Sequence, residues 1–103
     1  GVDAVTDGAT GSDVDAACRD LITAGGRGEA FAHGTGHGVG LDVHEAPRLA
    51  ADADGTLRAA MVVTVEPGVY VPGLGGARVE DTVAVTAGGS QLLTASPTPL
   101  AVL

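Results

Sequence analysis

Glycine at every second position from Gly34 to Gly40 limits what this chain can fold into more than any other feature. The segment reads His33-Gly34-Thr35-Gly36-His37-Gly38-Val39-Gly40-Leu41-Asp42-Val43-His44-Glu45-Ala46-Pro47. In an extended chain successive side chains alternate between faces, so these glycines leave one edge bare and let another backbone approach closely. His33, Thr35 and His37 then share the opposite face. The three histidines of the chain all fall inside this stretch.

Around that segment the local patterns define the other elements. Residues 12–25 read as a helix: Ser12 is the expected N-cap, with Asp15 at the capping-box spacing. Val14, Ala17, Cys18, Leu21 and Ile22 form one apolar stripe, and Gly25-Gly26 ends the helix. Residues 45–60 read as loop with one short helical turn. Met61 to Glu66 is β-branched and closed by Pro67-Gly68, which predicts a strand and a turn. Val69–Val71 is a short extended piece before a turn at 72–76, and Arg78 to Thr86 is expected to be the longest strand. Residues 87–90 then turn into a strand at 91–94. The fold class is α+β, a helix packed on a mainly antiparallel sheet. Gly1 is not preceded by Met, and residues 1–6 read as the tail of a helix begun upstream. A C-terminal fragment forming one domain over 1–103 is expected.

Composition removes several functions. Five Arg and no Lys stand against thirteen acidic residues, a net charge of -8. Nucleic-acid binding needs a cationic surface that displaces counterions, so it is excluded as a partner. A P-loop needs a Lys. No G-x-G-x-x-G spacing occurs in the glycine-rich segment, and His44-Glu45 lacks the second His of a zincin helix. No apolar run reaches the roughly 18 residues of a membrane span. Cys18, the single cysteine, cannot form an internal disulfide and reads as a small buried hydrophobe. A cytoplasmic location is expected.

Carboxylates raise the interest of the histidines. Glu66 ends an apolar strand, where a charge is costly without a partner. Arg78, Glu80 and Thr82 share one face of the next strand by period two. One imidazole and two carboxylates from separate segments form a ligand set that first-row divalent metals accept. A mobile surface loop and a solvated Arg–Glu pair are the plainer readings of the same residues.

Taken together, the segment 33–47, Val65-Glu66-Pro67-Gly68 and Arg78-Val79-Glu80-Asp81-Thr82 resemble the pita-bread metallopeptidases, closest to the Xaa-Pro dipeptidase and aminopeptidase branch. The resemblance covers nearly the whole chain and implies the C-terminal half of a pita-bread fold. It implies two divalent metal ions, manganese or cobalt before zinc or iron, held by two Asp, one His and two Glu. His37 matches the ligating histidine, Glu66 a glutamate on the same ion, and Glu80 the carboxylate that bridges both. His33 and His44 match histidines that contact substrate and the tetrahedral intermediate, and Arg78 an arginine beside the bridging carboxylate. Neither Asp ligand has a counterpart in residues 1–103; they are expected upstream. Ala60 departs from the family, which usually has Gly before this Met, and only local turn geometry is expected to suffer.

The implied reaction is hydrolysis of the peptide bond preceding proline in short peptides, with a homodimer allowed. Glu66 would take and return the proton, and His44 would stabilise the developing oxyanion. The alternatives are a non-catalytic peptide-binding module and an inert structural fragment on the same fold.

Overall fold

A computed structural model describes residues 1–102. One helix, α1 (Gly11–Ala24), precedes seven short strands: β1 (Gly36–Gly38), β2 (Glu45–Leu49), β3 (Val62–Val65), β4 (Gly68–Val71), β5 (Gly75–Arg78), β6 (Asp81–Thr86) and β7 (Gly89–Leu92). Five strands form an antiparallel sheet in the order β2-β1-β3-β6-β7, and β4 pairs with β5 in a separate hairpin. The α+β expectation holds.

The N-cap of helix α1 lies two residues earlier than the sequence suggests. Thr10, not Ser12, is the N-cap: its hydroxyl accepts from the Asp13 amide, and the Asp13 carboxylate accepts from the Thr10 amide. This reciprocal box satisfies two of the otherwise unpaired donors at the helix start. The buried stripe also differs. Val14 and Cys18 are buried and Ile22 packs partly against the core, but Ala17 and Leu21 face outward. The helix is turned so that Asp15, fully buried, lies inward instead, for a reason that appears at the site.

The core lies between this helix and the large sheet. Val14 and Cys18 meet Val5, Phe31, Leu49, Leu57, Val63, Val65, Val83 and Val85. Burying a Val or Leu side chain contributes about 1.5–3 kcal/mol. Strand β3 is central, and Val63, Thr64 and Val65 are all buried. Residues 1–6 carry one 3₁₀ turn (Val2–Ala4) rather than the end of an α-helix, and Val5 enters the core.

Two further expectations are corrected. Part of the stretch 45–60 is strand β2, paired with β1 through His37–Arg48 and Gly36–Leu49. Its sequence, Glu-Ala-Pro-Arg-Leu, carries no strand signal; the glycine edge of β1 recruits it. The strand expected over 78–86 is broken at Val79-Glu80. Arg78 pairs with Gly68 in the hairpin, whereas Asp81 pairs with Val65 in the large sheet. The chain therefore changes sheets twice, at Glu66-Pro67 and again at Val79-Glu80, side by side.

Close approach explains the glycines of β1. A Cβ on Gly36 would lie 1.9 Å from the Thr64 carbonyl oxygen, and one on Gly38 would lie 2.1 Å from that of Ala46. Neighbouring backbone thus closes on both edges of β1. No helix among the described residues is long and apolar enough to cross a membrane.

Candidate active site

The paired sheet crossings place carboxylates beside the histidine segment. His33, His37, His44, Glu66 and Arg78 line one cleft of about 590 Å³, with Glu45 and Arg48 on its wall. Thr35 does not join the histidines; its side chain is buried against α1. Glu80 does not line the cleft and is tied to it through Arg78.

His37 and Glu66 are in direct contact, with Nε2 3.1 Å from Oε1. The Nδ1 of His37 lies 2.9 Å from the Gly38 carbonyl oxygen. A carbonyl only accepts, so Nδ1 carries a ring proton, and Nε2 faces Glu66 either as a second N–H donor or, in the neutral ring, as a lone pair. Two acceptors facing each other at this distance need a proton or a cation between them. The Thr64 hydroxyl fixes both partners, accepting from the His37 amide at 3.1 Å and donating to Glu66 Oε1 at 2.9 Å. Adjacent ligands at about 2.1 Å from one cation and near a right angle stand roughly 3 Å apart. The donor set at His37 and Glu66 is therefore suited to share a cation.

Arg78 stands between the two carboxylates, its Nε 3.7 Å from Glu66 Oε2 and 3.6 Å from Glu80 Oε2. Because the guanidinium occupies that place, His37, Glu66 and Glu80 do not gather into one cluster. Among the described residues no group of three His, Cys, Asp or Glu side chains is placed to hold a metal ion. His44 meets His37 edge to face, with ring centroids 4.5 Å apart.

His33 is held from three sides. Its Nδ1 donates to the Gly34 carbonyl at 2.7 Å, and its Nε2 accepts from the Tyr70 hydroxyl at 3.0 Å. The Phe31 ring meets it edge on. Sequence reasoning missed Tyr70, a lone aromatic in a short strand, for which only its position after Glu66-Pro67-Gly68 could have spoken. It also missed Asp15 and Arg19. Arg19 Nε donates to Asp15 Oδ2 at 2.6 Å, and that hydrogen bond, against the cost of burial, holds the guanidinium pKa above its ordinary value. The i, i+4 spacing of the pair was the available signal.

An antiparallel sheet with one packed helix, a histidine on an inner strand and carboxylates at two neighbouring sheet crossings is the C-terminal part of the pita-bread fold of prolidases. The pattern of metallopeptidase family M24 matches residues 1–87, and the chain belongs to that family. It is 47% identical over 103 residues to the uncharacterized peptidase YqhT of Bacillus subtilis, covering all of this chain and 29% of that protein. It is 46% identical over 93 residues to the Xaa-Pro dipeptidase of Pyrococcus horikoshii, covering 90% of this chain and 26% of the relative. Among solved structures, the Xaa-Pro dipeptidase from Bacillus anthracis superposes with a TM-score of 0.96 at 51% identity, over 99% of this chain and 29% of that one. An X-prolyl aminopeptidase from Caenorhabditis elegans, described as a cytosolic enzyme with a di-nuclear active site, matches with a TM-score of 0.65 at 42% identity, over 76% of this chain and 13% of its own. The chain thus spans less than a third of the length of these relatives.

Proposed function

We propose that residues 1–103 are the C-terminal portion of the catalytic domain of a cytoplasmic Xaa-Pro peptidase, which hydrolyses the bond preceding proline in short peptides. The observation that carries this reading is the His37–Glu66 contact at 3.1 Å, in a cleft shared with His33, His44 and Arg78. The names of the relatives support the substrate class.

His37 and Glu66 would hold one divalent ion, and Glu80 would reach a second, with the remaining ligands supplied from outside these 103 residues. Manganese or cobalt suits the carboxylate-rich set. Bound there, the ions supply Lewis acidity and bring the pKa of water towards neutrality. The chain's own residues do the rest. Thr64 keeps Oε1 of Glu66 in place, so this carboxylate can accept a proton and return it to the leaving amine. His44 donates a hydrogen bond to the carbonyl oxygen as negative charge develops on it. His33 binds the peptide from the Tyr70 side of the cleft. Arg78 offsets the repulsion between Glu66 and Glu80.

The isolated chain is proposed to be inactive, binding at most one cation weakly. Among the described residues, Glu80 belongs to no group of three His, Cys, Asp or Glu side chains placed to hold an ion. The test assays the whole protein on an Xaa-Pro dipeptide and on the matching Xaa-Ala dipeptide, with metal content measured in parallel. Cleavage of the proline substrate alone is expected, and Glu80→Gln should abolish it and lower the metal content. Full activity of Glu80→Gln with two ions retained would refute the bridging role, and no cleavage by the wild type would refute the function.

A further inference from the structure

Residues 31–35 carry His33 into the cleft before strand β1 begins at Gly36. Apart from the Thr35 carbonyl, which accepts from the Glu66 amide at 2.6 Å, their backbone has little pairing in either sheet, and α1 supplies it instead. Arg19 Nη1 donates to the Phe31 carbonyl at 3.0 Å and Nη2 to the His33 carbonyl at 2.8 Å. Asp15 Oδ1 accepts from the Thr35 amide at 3.1 Å and from the Thr35 hydroxyl at 3.0 Å. Residues 31, 33 and 35 are alternate positions, the ones whose backbone groups a neighbouring strand would engage. Two side chains one helical turn apart therefore do the work of a strand. The guanidinium also lies over the Phe31 ring, 4.3 Å from its centroid, and the Phe31 ring meets the His33 ring at 5.2 Å. Continuous contact runs from Arg19 through Phe31 and His33 to Tyr70 on the β4–β5 hairpin.

We propose that Asp15 and Arg19 are positioning residues for His33, setting the place of its imidazole from the far side of the segment. The pair is well chosen for the task. Asp15 is fully buried and Thr35 likewise, so water does not compete for these bonds. Only the planar fork of arginine can meet one carboxylate and two carbonyls together; lysine offers a point charge. Asp15 keeps the fork aligned through Nε and Nη2. A buried carboxylate without such partners would be costly, and the bonds from Arg19 and Thr35 are what allow α1 to carry Asp15 inward.

The consequence for catalysis rests on the Xaa-Pro peptidase reading, and the test separates the two. The whole protein carries Arg19→Lys, with Asp15→Asn as a second variant, each alone and combined with His33→Ala. Misplacing a substrate-contacting group by about 1 Å can cost up to 100-fold in rate. We expect Arg19→Lys to lower kcat/KM on an Xaa-Pro dipeptide by about 10-fold or more with metal content unchanged. In the His33→Ala background it should cause no further loss, because a residue acting through His33 has nothing left to act on. Equal losses in both backgrounds would show a general structural role and overturn the proposal. Crystal structures of metal-free wild type and Arg19→Lys give a second readout independent of activity. Loss of the 3.0 Å contact between His33 and Tyr70 in the variant supports the proposal, and its retention overturns it. Should the wild type cleave no proline peptide, the functional reading fails while the crystal comparison still decides the positioning role.

Discussion

His37 Nε2 and Glu66 Oε1 lie 3.1 Å apart because one hydroxyl, that of Thr64, hydrogen-bonds to both residues. The relationship predicts that Thr64→Val weakens the site without removing either donor. Partners of this kind typically change metal affinity by about 10–100-fold. Calorimetric titration of manganese into the whole protein should show a fall in that range for the variant. An unchanged affinity would mean that the Thr64 hydroxyl contributes nothing to the pair.

His44 stacks edge on against His37 but hydrogen-bonds to no carboxylate of the cleft among the described residues. His44→Ala is therefore expected to keep the metal content and to lower turnover by about 100-fold, the usual cost of losing an oxyanion donor. Loss of metal from this variant would make His44 a ligand and shift the assignment away from His37.

Ala60 has φ 74°, the left-handed region that costs a residue with a Cβ about 1–2 kcal/mol. Its amide is fixed by the Val85 carbonyl at 2.9 Å, so the turn cannot relax easily. The greater freedom of glycine in the unfolded chain offsets part of the gain. Ala60→Gly should still stabilise the protein by about 0.5 kcal/mol, raising Tm by roughly 2–4 °C. A lower Tm would show that the strain is accommodated at no cost.

The capping box makes the helix start pH-sensitive. Hydrogen bonds from the Thr10 amide, first, and its hydroxyl hold the Asp13 carboxyl below its ordinary pKa. A folded-state pKa below the unfolded value near 3.9 means that the ionised form stabilises the fold. That contribution is complete above the unfolded value and disappears as pH falls through the folded one. Thermal unfolding of wild type and Asp13→Asn should differ at neutral pH and converge in acid. Parallel curves down to about pH 2 would remove Asp13 from the acid response.

Much of this architecture was legible because the signals were local. Met61 to Glu66 reads as a strand from its β-branched run, and the glycines announce the close approach that β2 and β3 make to β1. Strand β2 was not legible, because its residues have no strand preference and its pairing is dictated by β1. Nor was the break at Val79-Glu80, which follows from Arg78 and Asp81 finding partners in different sheets. The residues of the cleft could be named from their motifs. That Arg78 separates Glu66 from Glu80, and that Asp15 and Arg19 hold the His33 segment, depends on contacts between distant parts of the chain.

For anyone seeking to redesign the surroundings of the cleft, the glycine-rich segment divides into fixed and variable ground. Gly34, Gly36 and Gly38 each face a carbonyl oxygen at 2.8 Å or less from where a Cβ would stand, so any side chain there would push β2 or β3 away. Further along the chain, Val39, Leu41 and Val43 are exposed on the loop that leads to His44. A combinatorial library should hold the first set constant and randomise the second, where exposed side chains can change without displacing β2 or β3.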